Sequence, residues 1–540
     1  MAPKKKKVGP LTPSQIFVRI RPIDTSGKTG HGEGEALGEK TLGSWTDESI
    51  VIQDKHEKLT FDFPKKVVAP EADQLETFES MLPPLLEAFT TDSNVLFFAY
   101  GQTGTGKTHT ILGTDESLKM TEMNDGWGIF PRVCHWVFEK MESKRADGSQ
   151  CILSAAAVEF YCGGAFDLNN PAGKFPVQIN TDSQVYNNKQ VEVSTMADVM
   201  AFFDGVWSKR NVSKTKMNAG SSRAHTALIL KLMTLTKCGC YRKTTFSLID
   251  LAGSERASKT GQEVISAFDA MSLAGKLFME GKPEKLPIAH QGVLINTELS
   301  SLASEVAKAT EAAKQGQPRK VAKALNTDAV VYMGSCCDGR ALAGAVVCLS
   351  QAKQNGSETW FSCKYGTDLA KLAVPFRPTK SKCVVKERKA AAKALKEAKE
   401  GWKQYEGVNP ATLAGHKANI YYLRKGALQY CEEDLAFMDK LMELQGKSKD
   451  DPERTTGGEL QEAFEKFDTE GVGYLTKEQL TAVLGRGGDT PEEAAARVDE
   501  LISKYDADGD GFIQYQEFAK AFQSARFADL EAKGLLAKPA

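Results

Sequence analysis

The sequence predicts an α/β chain: a three-layer domain built on a central mixed sheet, followed by a smaller all-α domain. Three observations carry this expectation. Between residues 11 and 375, short apolar runs of strand length alternate with helical patterns, as in a sheet covered by helices on both faces. One of these runs ends in a glycine-rich turn that opens a helix. Residues 450–540 then hold twenty Asp/Glu against ten Lys/Arg, with helical patterns on either side of a Gly/Asp-rich turn.

The elements follow in order. Strand-length apolar runs lie at 16–20, 95–100, 152–160 and 246–251, and a helical pattern covers 297–314. Gly/Pro-rich stretches at 26–38 and 315–319 read as loops. An Ala/Lys/Glu-rich helix is expected over 384–404, broken at Asn409–Pro410, and a second over 411–445. Neither sustains the apolar heptads of a coiled-coil stalk, so a monomer or a partner-dependent assembly is expected. The chain divides into a basic tail at 1–10, the α/β domain at 11–375, a connector at 376–450 and the acidic domain at 451–540. The connector's first part, 376–403, holds ten Lys/Arg and three Asp/Glu, so a basic segment precedes an acidic one.

The 540 residues carry 69 Lys/Arg and 70 Asp/Glu, a net charge of −1. That balance argues against a nucleic-acid partner held by bulk charge. Apolar residues make up 41% of the chain, enough for a large core. No apolar run approaches the ~20 residues of a membrane span, and MAPKKKKVGP lacks the apolar stretch of a secretory signal. A cytoplasmic protein with reduced thiols is expected. The 11 cysteines have no regular spacing, and neither Cys238/Cys240 nor Cys336/Cys337 has metal-ligand company.

Gly101-Gln-Thr-Gly-Thr-Gly-Lys-Thr108 fits GxxxxGK[ST] in full, after the apolar run VLFFAY and before a helical pattern. That order has a chemical reason. The glycines let backbone N–H groups face phosphates, the helix start adds partial positive charge, Lys107 reaches the terminal phosphates, and Thr108 offers a hydroxyl to Mg²⁺. Gln102, Thr103, Gly104, Thr105 and Gly106 complete the loop. Asn218-Ala-Gly-Ser-Ser-Arg-Ala-His225 and Leu248-Ile-Asp-Leu-Ala-Gly-Ser-Glu255 follow, and Val18-Arg-Ile-Arg-Pro22 precedes.

Together these motifs resemble the kinesin motor domain, whose phosphate loop reads GQTxxGKT, first switch NxxSSRSH, second switch DLAGSE, and opening strand RxRP. The resemblance implies a P-loop NTPase-type motor fold, ATP hydrolysis and a microtubule partner, with a cytoskeletal location, a cilium or flagellum included. It implies that Arg19, Arg21, Pro22 and His109 flank the nucleotide. Thr108 and Ser222 would bind Mg²⁺, with Asp250 holding its water shell. Asn218 and Ser221 would sit near the attacking water, Gly253 would offer a backbone N–H to the γ-phosphate, and Arg223 would pair with Glu255 as the switches close. Positioning and charge, rather than a shifted general base, would carry phosphoryl transfer.

Two departures qualify the track-facing side. The family's VPYRxSKLT-type segment corresponds here to 317–327, QPRKVAKALNT, which lacks the aromatic–Arg pair. Arg319, Lys320 and Lys323 keep its positive charge, and Lys308 and Lys314 add to it. The helix after the second switch has Ala267, Ala270 and Ala274 where the family has longer polar residues. An alternative reading is therefore a non-motile, Ca²⁺-responsive structural microtubule-associated protein that keeps the motor fold.

The acidic domain reads as an EF-hand pair. Asp506, Asp508 and Asp510 stand at the first, third and fifth places of a calcium loop, with Gly511 at the turn, the Phe512 carbonyl, Gln514 directly or through water, and Glu517 as the bidentate ligand. The partner loop, 468–479, has Val472 and Gln479 where side-chain oxygens and a carboxylate are needed. It is expected to pair structurally and stay empty. Calcium is expected to open a groove lined by Phe464, Phe467, Leu480, Ile502, Phe518 and Phe522. The basic segment 384–403, anchored by Trp402, is the candidate intramolecular target for it.

Overall fold

The computed structural model describes residues 10–23, 40–53, 58–63, 65–146, 149–170, 175–180, 185–186, 188–217, 223–236, 240–254, 265–317, 319–413 and 416–445. In the C-terminal domain it describes 464, 467–468, 473–484, 491–507, 509–515 and 517–521.

A twelve-stranded mixed sheet draws its strands from residues 15–383. Its parallel half is β6 (Lys66–Val68), β2 (Gln15–Arg21), β15 (Leu342–Ser350), β7 (Val95–Tyr100) and β14 (Cys240–Asp250), in that spatial order. Its antiparallel half continues through β13 (His225–Leu235), β8 (Gln150–Tyr161), β9 (Gly164–Asp167), β10 (Phe175–Ile179) and β11 (Val185–Tyr186). The short β12 (Val191–Glu192) pairs with β8, and β17 (Lys382–Cys383) with β14. Outside this sheet, β1 (Leu11–Pro13) pairs with β16 (Ala373–Pro375), and β3 (Leu42–Trp45), β4 (Ser49–Gln53) and β5 (Lys58–Asp62) form a small sheet. In the tail domain, β18 (Tyr474–Leu475) pairs with β19 (Ile513–Gln514).

Every residue of β7 is buried, because helices cover both faces of the sheet. Alternate side chains enter two cores: Leu96, Phe98 and Tyr100 point to one, Val95, Phe97 and Ala99 to the other. The first core is closed by α7 (Ile288–Lys314), α8 (Asp328–Met333) and α9 (Gly356–Leu369). The second is closed by α1 (Gln74–Met81), α2 (Pro83–Thr91), α4 (Ile129–Ala146) and α5 (Met196–Met217). The short α3 (Lys107–Ile111) leads out of the glycine-rich loop.

Two of the three alanines of α6 (Ala267–Met279) have a packing reason, while Ala267 is exposed. Ala270 and Ala274 are buried, and Cys162 donates through its thiol to the Ala274 carbonyl at 3.5 Å. The turn between β8 and β9 approaches so closely that a Cβ on Gly164 would stand 2.0 Å from the Phe278 ring. Long polar side chains on this face of α6 would hold the two elements apart.

The connector is a helical hairpin. Here α10 (Val384–Trp402) packs on α11 (His416–Leu444), a 29-residue helix. Arg388 pairs with Asp439 between the two helices at 2.5 Å. Lys440 reaches Glu192 of β12 at 2.6 Å, and the Tyr241 hydroxyl donates to Glu387 at 3.4 Å. The hairpin therefore lies against the twelve-stranded sheet. Trp402, expected to anchor in the EF-hand groove, instead packs against Tyr405 and Tyr421, at ring separations of 5.7 and 5.1 Å. In this structure α10 meets the tail domain through Val384, Val385 and Ala391, with Trp402 packed inside the hairpin. The tail-domain core residues Phe464, Leu475, Leu480, Val498 and Ile513 share one apolar cluster with Val384, Val385 and Ala391 of α10 and Met438, Leu441 and Met442 of α11. The tail helices α12 (Lys477–Leu484) and α13 (Pro491–Tyr505) pack on each other.

Among the described residues no helix is long and apolar enough to cross a membrane, and no three acidic, His or Cys side chains gather at metal-ligand spacing. The ten described cysteines are free and buried. Cys238 lies outside the described residues.

One buried carboxylate gives a pH test of packing. Asp328 opens α8, and burial pushes its carboxyl up from 3.8 to about 6, with Lys323 opposing and Glu298 adding to the rise. Between roughly pH 4 and 6 the folded chain holds a proton that the unfolded chain has released, so stability falls as pH rises through that window. Asp328→Asn is expected to flatten this slope, read as the difference between variant and wild-type urea midpoints at pH 4, 5 and 6. Parallel midpoint curves would show that Asp328 titrates as it does in water.

Candidate functional site

The parallel strands deliver the sequence motifs to one edge. Asp250 ends β14 opposite Ala99 of β7, and Arg19 lies opposite Cys348 of β15. This is the carboxyl edge of the parallel half, where open α/β sheets place their ligands. Gly101, Gly104 and Gly106 take φ values of +147°, +80° and +92°. At Gly101 the need is also steric, because a Cβ there would stand 2.4 Å from the Cys348 carbonyl oxygen.

Lys107 is buried, and its Nζ donates to the carbonyls of Gly101 (2.7 Å) and Gln102 (2.9 Å). The Thr108 hydroxyl donates to Asp250 at 2.7 Å, so loop and second-switch strand are joined by two hard-oxygen groups. Ser254 donates its backbone N–H to the Gly101 carbonyl at 3.3 Å, which lays the chain through Gly253 over the loop's first residue. The Gln102 side-chain oxygen is buried without a hydrogen-bond partner.

A second group forms where β2 meets α1. Arg19 donates to Gln74 (2.9 Å) and to the Thr110 hydroxyl (3.0 Å). Gln74 in turn donates to the His109 carbonyl at 2.7 Å and lies 3.1 Å from its Nδ1. Burial, with Arg19 beside it, pushes the His109 imidazole below its usual range, and burial lowers the Arg19 guanidinium. Arg21 lies 3.4 Å from the Ser350 hydroxyl and 3.3 Å from the Pro22 carbonyl. The sequence pointed to Arg19, Arg21, Pro22 and His109; it gave no sign of Gln74, which ties two of them together from 55 and 35 residues away.

His225 bridges three elements. Its Nδ1 accepts the Ala252 N–H at 2.9 Å, and its Nε2 faces Glu298 of α7 at 3.3 Å. Accepting at Nδ1 leaves the proton of the neutral ring at Nε2, directed toward the carboxylate. Both side chains are buried. The end of the first switch, the second switch and the long helix α7 thus share one polar link. Arg223 donates to the Ile288 carbonyl at 2.7 Å, at the start of α7. Asn218, Ser221, Ser222 and Glu255 lie outside the described residues.

The donor set fits Mg-ATP. Hydroxyl and carboxylate oxygens, joined at 2.7 Å, are the ligand types Mg²⁺ takes, and the space where a Gly106 Cβ would project is open. In the second calcium loop, Gly509 and Gly511 have φ of +72° and +81°. Asp506 accepts from the N–H groups of Gly509 (2.7 Å) and Gly511 (2.9 Å). Asp510 accepts from Phe512 at 2.8 Å, and Gln514 donates to Asp510 at 3.4 Å. Glu517 accepts from Ala507 (2.6 Å) and Gln514 (2.9 Å). The oxygen types suit Ca²⁺, while the carboxylates here cap the loop's own backbone. Asp508 and Phe522 lie outside the described residues. In the first loop, Asp468 accepts from Gly473 and Gln479 from Thr476, and the pairing of β18 with β19 joins the two loops.

Sheet, loop and second-switch strand define a P-loop nucleotide-binding domain. Residues 19–278 match the kinesin motor domain and residues 459–523 an EF-hand domain pair; the chain carries a kinesin motor domain followed by an EF-hand pair. Kinesin-related protein 5 of Dictyostelium discoideum is 31% identical over 272 residues, covering 49% of this chain and 26% of the relative. Carboxy-terminal kinesin 2 of Xenopus laevis is 30% identical over 263 residues, covering 46% of this chain and 40% of the relative. The chain spans less than half the length of these curated relatives. Among solved structures, one of a fast kinesin superposes with a TM-score of 0.53 at 20% identity, covering 68% of this chain and 93% of that one. A KIF14 dimer with AMP-PNP, in complex with a microtubule, gives 0.53 at 22% identity, covering 68% and 96%.

Proposed function

We propose that the chain is a microtubule-binding ATPase of the motor type, with calcium input through its second EF-hand loop. The observation that carries this reading is the Thr108–Asp250 hydrogen bond, which joins the phosphate loop to the second switch. Arg19, Arg21, Pro22 and His109 would hold the base, and Gln102 to Thr108 the phosphates. Thr108, Ser222 and Asp250 would hold Mg²⁺, which screens phosphate charge when bound. Gly253 would donate its N–H to the terminal phosphate, and Asn218, Ser221, Arg223 and Glu255 would order the attacking water. His225 would pass the second switch's position to α7 through Glu298. Phosphate release from Mg-ATP is expected to accelerate on adding microtubules. A rate that microtubules leave unchanged would remove the motor assignment while leaving nucleotide binding intact.

A specific observation favours the non-motile alternative for the track-facing side. Arg319 pairs with Glu305 at 3.2 Å, as does Lys308 at 2.9 Å. Lys323 donates to the Ile179 carbonyl at 2.6 Å and lies 3.8 Å from Asp328. Positive groups expected to face an acidic polymer thus meet partners within the domain. Microtubule binding is expected to be weaker and more salt-sensitive than a typical kinesin's, since exposed charges are screened beyond ~8 Å at physiological salt. Co-sedimentation that holds from low to high salt would instead require a built, complementary interface.

A further inference from the structure

A cavity of about 220 Å³ lies at the end of the sheet opposite the phosphate loop, lined by Lys231, Lys243, Arg340, Arg377, Tyr332 and Tyr430 among others. Lys231 of β13 stands opposite Thr245 of β14, and Lys243 precedes Thr245 by two positions. The period of a strand therefore puts both lysines on one face. Among the described residues neither ammonium has a hydrogen-bond or ion-pair partner. Burial, reinforced by Lys243, lowers the Lys231 ammonium to about 7, and burial lowers that of Lys243. Asp434 of α11 acts on both from farther off, Asp167 on Lys231, and Lys382 and Glu387 on Lys243. Arg340 is held by Asp338 at 2.8 Å.

The walls come from separate parts of the chain. Tyr332 donates to or accepts from Ser247 at 2.6 Å and is fixed to the sheet. Tyr430 belongs to the connector helix α11. The strand-to-connector segment is tied down by the N–H groups of Arg377, to the Gly339 carbonyl at 2.8 Å, and of Thr379, to the Asp92 carbonyl at 2.7 Å.

We infer that this cavity binds a compact polyanion of the phosphate or pyrophosphate class. Four basic side chains line one small space, and holding two half-buried ammonium groups on one face of the sheet is unfavourable until an anion joins them. The volume lies below the ~300–1,000 Å³ of pockets for drug-sized ligands, which limits the occupant to a small ion. Bound there, the anion ties α11 and residues 377–379 to the sheet, and so holds the connector against the motor domain.

The test uses the full chain carrying Lys107→Ala, titrated calorimetrically with pyrophosphate and, separately, inorganic phosphate, against chloride at matched ionic strength. Binding is expected to persist in this background. Lys231→Met with Lys243→Met is expected to weaken it at least tenfold, and the exposed Arg377→Gln several-fold. Should the double variant fail to fold, as judged by circular dichroism, Arg377→Gln and Tyr430→Phe decide the matter. No heat beyond chloride, or an affinity that these substitutions leave within twofold, overturns the assignment.

Discussion

Replacing Lys107 by Ala is expected to abolish ATP binding and to leave the sheet folded. The ammonium is buried and already satisfies the carbonyls of Gly101 and Gln102. It is therefore held inside the loop, within a short swing of the phosphates that the loop's backbone would cradle. Ala removes the one cation of the loop and leaves both carbonyls without that donor. The cost to stability is about 1–3 kcal/mol for a buried polar group left unsatisfied, well short of unfolding a domain whose two cores lie on either face of the sheet. Titrating a fluorescent ATP analogue with Mg²⁺, alongside circular dichroism, separates the two effects. Binding within threefold of wild type would show that the loop does not use Lys107 for phosphate.

The parts of this molecule legible in sequence are those whose cause is local. The run VLFFAY reads as a buried strand because six successive apolar residues suit a sheet covered on both faces, and the loop after it carries its chemistry in consecutive residues. Gln74 is different. It acts on a partner far along the chain, Arg19, and nothing in its own neighbourhood distinguishes it from other polar residues on a helix. The same limit applies to charge. Arg319 and Lys323 read as free positive charge, because the carboxylates that meet them are set by the packing of α7 and α8 rather than by adjacency. Trp402 looked available for a groove, but the turn into α11 supplies Tyr421 as its neighbour. Two of the α6 alanines that depart from longer polar residues, Ala270 and Ala274, are buried, which the sequence around them does not announce.

Calcium is expected to bind once per chain, in the second EF-hand loop, and Glu517→Gln is expected to weaken that binding at least a hundredfold. The first loop offers Asp468 as an oxygen ligand but closes with Gln479, whose amide oxygen is already taken by the Thr476 N–H. The second loop closes with a carboxylate whose two oxygens accept from Ala507 and Gln514. Bidentate ligation requires Glu517 to release at least part of this capping, and the released N–H groups must find other partners as the loop tightens. Gln retains one oxygen and no charge, so it can neither repay that rearrangement nor neutralise the ion. Sensor loops of this kind fall around ~10⁻⁷–10⁻⁵ M. The movement has a route outward, since the tail's Phe464 and Leu475 share a cluster with Met438, Leu441 and Met442 of α11, the helix that also packs on the motor domain. A competitive titration with a calcium-chelating dye gives both stoichiometry and affinity. Two ions per chain, or an affinity that Glu517→Gln leaves unchanged, would place the metal on ligands other than this loop's closing carboxylate.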